Sequence, residues 1–227
     1  MLYKSALTTE ASGSLGGIVA SHNKGGSYLR ARVTPTDPAS NQQLVIRGLM
    51  GQLANFWVST LTAVQRAAWA VYAAQILQLN PFGDGRTLTG LNHYVRSNLP
   101  RLQQGLTRVD DAPTTFDKGS FTHFTQVVDA TADEIDVTFL NTDSWAVAVG
   151  GALLVYVSRP QNPSVQFFIG PYRLAGAVLG AVVPPTSPTS LALPFPVVAG
   201  QRVYIRMQAT QPDGRLSDPF RVGTAAA

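Results

Sequence analysis

Few residues of this chain have the type and spacing that chemistry requires. Its three histidines are His22, His93 and His123, and none has a second histidine or a carboxylate at the spacing of a helical metal site. The chain has no cysteine, which excludes disulfides, thiolate metal sites and cysteine nucleophiles. No GxSxG motif marks a serine nucleophile. We therefore predict that the protein is not an enzyme and has no catalytic residue, cofactor or metal ligand.

Two short segments contain residue types that are also found in binding loops. Gly13–Gly17 is glycine-rich, but it lacks the GxxxxGK[ST] pattern of a phosphate-binding loop, so we interpret it as part of a flexible arm. Asp133, Glu134 and Asp136 offer carboxylates, but a calcium-binding loop needs more oxygen ligands. We interpret these acids as the polar side of a strand.

The candidate interaction residues are Lys24, Tyr28, Arg30 and Arg32. They lie in a segment that alternates like a strand and has few apolar residues to pack by itself. The basic residues are either solvated or clamp the arm onto an acidic neighbour or onto packaged nucleic acid. We favour a protein neighbour, because an extended segment can add a strand to a partner's sheet.

Charge divides the chain near Asp110–Pro113. Ten Lys/Arg face three Asp/Glu through Val109, whereas seven face ten in the remainder. Charged residues make up only 13% of the chain, about half the usual share of roughly 25%, which favours a surface that other chains partly cover. No segment has the features of a signal peptide or a membrane span, so we expect a soluble protein made in the cytoplasm without a membrane partner.

The pattern predicts an α+β protein with three parts. Residues 1–36 form an extended basic arm with a β-hairpin, whose strands are Gly17–His22 and Ser27–Val33. Residues 37–109 form a small helical unit. Its helices are expected near 40–58, from Thr62 onward, and near 89–104.

Particular residues define the second and third helices. Thr62 and Gln65 form a capping box at the start of the second helix. Pro100 is expected to kink or divide the third. One face of the second helix is expected to be apolar and buried: Val64, Ala68, Val71, Tyr72 and Gln75, with Trp69 and Ile76 beside it.

Residues 110–227 alternate with the period of a strand and predict an antiparallel β-sandwich. Its candidate strands are Ile135–Phe139, Ala152–Ser158, Val165–Ile169, Leu191–Phe195 and Val203–Met207. Several prolines between 184 and 196 favour edge strands and loops there.

Two resemblances extend these predictions. The Gly-rich basic segment Ser12–Arg32, the Leu-Thr-x-x-Gln-Arg-x-x-Trp pattern at Leu61–Trp69 and the helix Gly90–Asn98 resemble small proteins encoded by tailed bacteriophages and prophages. This resemblance implies a structural role in a virion. The second half resembles a fibronectin type III or immunoglobulin-like sandwich, most clearly in the last two strands and their hairpin, Gln201–Val222.

We therefore expect a non-enzymatic bacteriophage virion protein, either a capsid decoration or cement protein or a neck or tail component. It would dock by its arm and helices onto capsid, portal or tail subunits, display its sandwich, and form a homo-oligomer in the particle. One alternative is a carbohydrate- or cell-surface-binding module. A second is a nucleic-acid-binding protein that uses the basic half.

Overall fold

The computed structural model describes residues 12–23, 26–34, 36, 37, 39–79 and 83–227. They form three helices and twelve strands, and all strand pairs within the sheets are antiparallel, so the α+β prediction is confirmed. No helix among these residues is long and apolar enough to cross a membrane.

The first described residues form a small three-stranded meander. Its strands are β1 (Gly13–Leu15), β2 (Ile18–Asn23) and β3 (Gly26–Ala31), in that order. The predicted hairpin is present as β2 and β3, and an additional strand, β1, pairs with β2. The segment predicted to be a flexible Gly-rich arm therefore supplies a strand of its own. The turn between β1 and β2 contains Gly16, whose φ of +57° favours glycine.

Three helices follow, and side-chain caps set their N-terminal ends. The helices are α1 (Asn41–Ser59), α2 (Ala63–Gln75) and α3 (Gly90–Gln103). The predicted capping box of Thr62 and Gln65 is confirmed, and Ser40 forms an equivalent box with Gln43. Helix α3 continues through Pro100, so the proline does not divide it.

Helix α2 buries a different face from the predicted one. Trp69, Tyr72, Ala73 and Ile76 are buried, whereas Val64 and Val71 are exposed. Helix α2 is apolar on most sides, so its spacing is compatible with more than one buried stripe. The observed orientation places the two largest rings, Trp69 and Tyr72, in the core with Tyr94 and Leu53.

Helix α3 lies against both other helices. At its first residue, Gly90, a Cβ atom would approach the backbone nitrogen of Ala70 to 2.9 Å, so glycine permits the close approach of α3 to α2. A short hairpin, β4 (Leu77–Leu79) and β5 (Gly85–Thr87), connects the two helices.

The second half consists of two antiparallel sheets that share one core. The strands are β6 (His123–Asp129), β7 (Glu134–Phe139), β8 (Ala152–Val157), β9 (Arg173–Leu179), β10 (Thr189–Ala192), β11 (Arg202–Thr210) and β12 (Phe220–Ala225). One sheet has the order β10-β7-β6 and the other β12-β11-β8-β9. Val137 and Phe139 from the first sheet pack with Val155 and Ile205 from the second. This core makes the second half a two-layer β structure.

Two details of this half differ from the sequence predictions. The predicted strand Val165–Ile169 is wrong, because these residues form a loop in which Phe168 stacks on Tyr204 at 5.4 Å between ring centroids. Strand β10 begins and ends before the predicted segment Leu191–Phe195 does. Trp145, in the turn-rich loop between β7 and β8, is fully buried against Phe139 and completes the core.

Candidate functional site

The N-terminal sheet, β1 to β3, is the described region that has the weakest core of its own. None of its described residues is buried. None of the three buried apolar clusters found among the described residues includes a residue before Leu53. A small sheet without a packed face is marginal in water.

The strand register gives this sheet two different faces. Leu15, Ile18 and Ala31 are neighbours across the strands on one face, and Ala20 pairs with Leu29 on the same face. Leu15 is 88% exposed and Ile18 is 52% exposed. These residues line an open hollow of about 660 Å³. The apolar face was not predicted, because Leu15 lay outside the expected hairpin.

The opposite face carries the residues that the sequence selected. Tyr28 pairs with Ser21 and Arg30 pairs with Val19, so both side chains lie on this face. Tyr28 is half-buried, and Arg30 and Arg32 are exposed without an ion pair among the described residues. Arg32 follows the end of β3, and its backbone N–H donates to Gly17 at 2.7 Å. Lys24 lies outside the described residues.

An ion pair between Asp37 and Arg47, the clasp, joins the segment that follows the N-terminal sheet to α1. The Arg47 guanidinium in α1 donates to both carboxylate oxygens of Asp37, at 2.7 and 3.0 Å. The Arg47 guanidinium lowers the pKa of the Asp37 carboxyl. This forked pair gives the connection a defined attachment on α1.

The outer sides of α1 and α2 add further exposed apolar residues. On α2, Val64 is 78% exposed and Val71, on the same side, is 55% exposed. The corresponding residues of α1 are Leu44, Val45, Met50 and Val58. Scattered exposed apolar side chains are normal, but several of them on two helices add apolar area that another chain can cover.

Most other arginines of the first half act inside the fold. Arg101, only 2% exposed, donates to the carbonyl oxygens of Thr107, Gly150 and Gln211 at 2.9–3.0 Å. It therefore links α3 to the loops of the sandwich. Burial lowers the pKa of Arg101, and three carbonyl acceptors stabilise its charge.

Further polar contacts cross the same junction. Arg96 lies 3.8 Å from Asp218. The Tyr72 hydroxyl donates to the Asp117 carbonyl at 2.8 Å. The charge of Arg96 is thus partly matched by an acid of the second half, and less of it is available to nucleic acid.

The residues of the motif at Leu61–Trp69 support the fold. Leu61 and Trp69 are core residues, while Thr62 and Gln65 cap α2. Arg66 donates to the carbonyls of Trp57 and Leu61, at 3.1 and 2.9 Å, where α1 ends. The motif is therefore a signature of helix packing.

The second motif has the same character. Gly90 allows the helix contact, Tyr94 is fully buried, and Arg96 reaches Asp218. Asn98 holds the backbone of Val109, accepting from its N–H at 2.7 Å and donating to its carbonyl at 2.9 Å. These residues position the segment that leads into the sandwich.

The histidines are not brought together. His22 is exposed, and His93 is buried edge-on against Tyr72 with 5.4 Å between ring centroids. The ring of His123 is tilted against that of Phe220, with 4.9 Å between their centroids. Burial lowers the pKa of His93 to about 4. Among the described residues, no group of three His, Cys, Asp or Glu side chains could hold a metal ion.

Comparison with protein-family models, with curated proteins and with solved structures finds no match to this chain. The contacts described above are therefore the basis for assigning a role.

Proposed function

We propose that this chain is a non-enzymatic structural protein of a tailed-bacteriophage particle, as a capsid decoration or cement protein or a neck or tail component. The observation that carries the proposal is the N-terminal sheet, which has an exposed apolar face and an exposed basic face but no buried residue at its described positions. Such a sheet gains stability when another subunit covers it.

The helices support the same role. Their motif residues are used for packing and capping, and their outer sides expose valines and leucines. Docking through the N-terminal sheet and these helices would bury these apolar side chains on capsid, portal or tail subunits, or on further copies of this chain in a homo-oligomer. The virion is then the place where the protein resides.

The strand order of the second half supports a fibronectin type III or immunoglobulin-like sandwich as the displayed part. Counting strands within this half, the first, second and fifth form one sheet, and the third, fourth, sixth and seventh form the other. In the second of these sheets, the fourth strand pairs with the third, and the sixth lies between the third and the seventh. Immunoglobulin-like sandwiches likewise divide about seven antiparallel strands between two sheets.

The test is incorporation into particles. The protein should be found by mass spectrometry in many copies in particles purified on a density gradient. Chains with both Arg30→Ala and Arg32→Ala should be incorporated less, while the melting temperature of the isolated protein stays nearly unchanged, because both side chains are exposed.

A matched control is Arg159→Ala with Arg221→Ala, which removes the same charge from the sandwich. Absence of the protein from particles would refute the proposal. Equal incorporation of both double variants would show that Arg30 and Arg32 are only solvated. Binding that falls steeply with salt on nucleic acid would favour the nucleic-acid alternative.

A further inference from the structure

A hollow of about 380 Å³ lies between the start of α1 and the outer face of the four-stranded sheet. Its volume is within the range of small-molecule sites, roughly 300–1,000 Å³. The lining residues are mainly cationic, amide and phenolic, and none is acidic: Gln42, Gln43, Ile46, Arg47, Gln103, Tyr156, Tyr172, Arg173, Leu174 and Arg206. The lining therefore favours a negatively charged occupant.

Arg206 is the central cation of this hollow. Its guanidinium carbon lies 4.2 Å from the ring centre of Tyr156 and 5.5 Å from that of Tyr172. Its Nε is buried and has no hydrogen-bond partner among the described residues. A guanidinium that lies over aromatic rings keeps its N–H groups at its edge, where they can meet a planar or tetrahedral oxyanion.

The charges around Arg206 also favour a negatively charged occupant. No described acid forms an ion pair with Arg173 or Arg206, while Arg47 is paired with Asp37. The first turn of α1, which contributes Gln42 and Gln43, has no acidic residue. The positive end of this helix adds to the field of the arginines.

We propose that this hollow binds a sugar that carries a carboxylate or phosphate group. The oxyanion would lie against Arg206 and Arg173, and the amides of Gln42 and Gln103 would hydrogen-bond to the sugar hydroxyls. Such a site is independent of the docking role of the N-terminal sheet, and no residue of that sheet lines it.

The experiment is isothermal titration calorimetry with the full chain and three probes: glucuronate, glucose 6-phosphate and glucose. At least one charged sugar should bind, and the two charged probes distinguish a carboxylate source from a phosphate source. Glucose should bind much more weakly. No binding of either charged sugar, or equal binding of glucose, would overturn the proposal.

Two variants test the residues. Arg206→Ala should weaken binding of the charged sugar about ten- to a hundredfold, because charge-assisted hydrogen bonds are lost. Gln42→Glu should weaken it about tenfold by repulsion, and an acid in the first turn of a helix favours folding. Because Gln42 is exposed, this second variant remains informative if Arg206→Ala folds poorly.

Arg159→Ala is the matched control, since it removes the same charge from an exposed residue of the second half that does not line the hollow. Its affinity should stay within about threefold of the parent value, in keeping with screening of exposed charges. If neither Arg206→Ala nor Gln42→Glu changes the affinity, the sugar binds elsewhere and the assignment of this hollow is wrong.

Discussion

The N-terminal sheet and the C-terminal sandwich are built from the same antiparallel pairing but differ in burial. All six residues of β8 are buried, whereas no described residue of β1, β2 or β3 is. Net stabilisation by a hydrogen bond is small, about 0.5–1.5 kcal/mol, because water competes for both partners. Burial of apolar area provides most of the difference. Pairing thus determines the form of the N-terminal sheet, but burial contributes little to its stability in the isolated chain.

Native-state hydrogen exchange should show the largest difference between the two sheets. Amides of β8 and β11 should exchange through global unfolding, typically about 5–15 kcal/mol above the native state. Amides of β2 and β3 should exchange in the isolated protein almost as fast as in an unfolded chain. Strong protection of β2 and β3 in a monomer would contradict the comparison.

Replacing one isoleucine with alanine in each sheet compares how much burial contributes to stability in the two regions. Ile205→Ala removes a fully buried side chain and should lower the free energy of unfolding by about 2–5 kcal/mol. Ile18→Ala, at a half-exposed position, should change it by less than about 0.5 kcal/mol. Urea unfolding followed by tryptophan fluorescence measures both, and similar losses would mean that the N-terminal sheet shares the main core.

The junction between the helices and the sandwich depends on Arg101. Arg101→Met keeps the apolar stem but leaves the carbonyls of Thr107, Gly150 and Gln211 without their donor. We expect a loss of about 2–4 kcal/mol, since several charge-assisted bonds are removed together. Urea unfolding checks this, with the exposed Arg30→Met as control. Equal stabilities of the two variants would show that the junction is held by other contacts.

Lowering the pH should reduce the free energy of unfolding, because His93 is buried in the helical unit. The folded pKa of His93 is about 4, below the ordinary value of 6.5, because burial disfavours the charged ring. Its contribution is fully present above pH 6.5 and is lost as the pH falls towards 4, because the unfolded chain takes up the proton first. The loss should approach about 2–3 kcal/mol, given about 1.4 kcal/mol per pKa unit.

Unfolding free energies measured between pH 7 and 4 for the parent chain and for His93→Gln test this expectation. The variant should lose the part of the pH dependence that His93 causes. An identical pH profile in the variant would mean that His93 has the same pKa in the folded and unfolded chains.

Local signals in the sequence predicted several elements well. The capping box of Thr62 and Gln65 is confirmed at the start of α2, and the alternation of Ile135, Val137 and Phe139 is confirmed as β7. The orientation of α2 was wrong because its apolar residues surround the helix, and only packing against Tyr94 and Leu53 selects a face. The strand predicted at Val165–Ile169 was wrong because the residue pattern of a segment does not show whether another strand is available to pair with it.

The sites depend on contacts that sequence spacing does not reveal. Arg101 reaches Gly150 and Gln211, and Arg206 shares its hollow with Gln42 and Gln103. These residues are far apart in the chain and are brought together only by the fold. The apolar face that contains Leu15 and Ile18 depends on the register of β1 with β2, which the Gly-rich segment did not indicate.

The ion pair between Asp37 and Arg47 limits the distance between the N-terminal sheet and α1. From Ala31, the last residue of β3, to Asp37 the chain advances six residues, which span at most about 20–22 Å when fully extended. The Ala31 end of the N-terminal sheet must therefore lie within this distance of Asp37, and so close to α1. In a particle, the clasp would restrict the spacing at which adjacent subunits can be linked, so the sheet would act as a short tether.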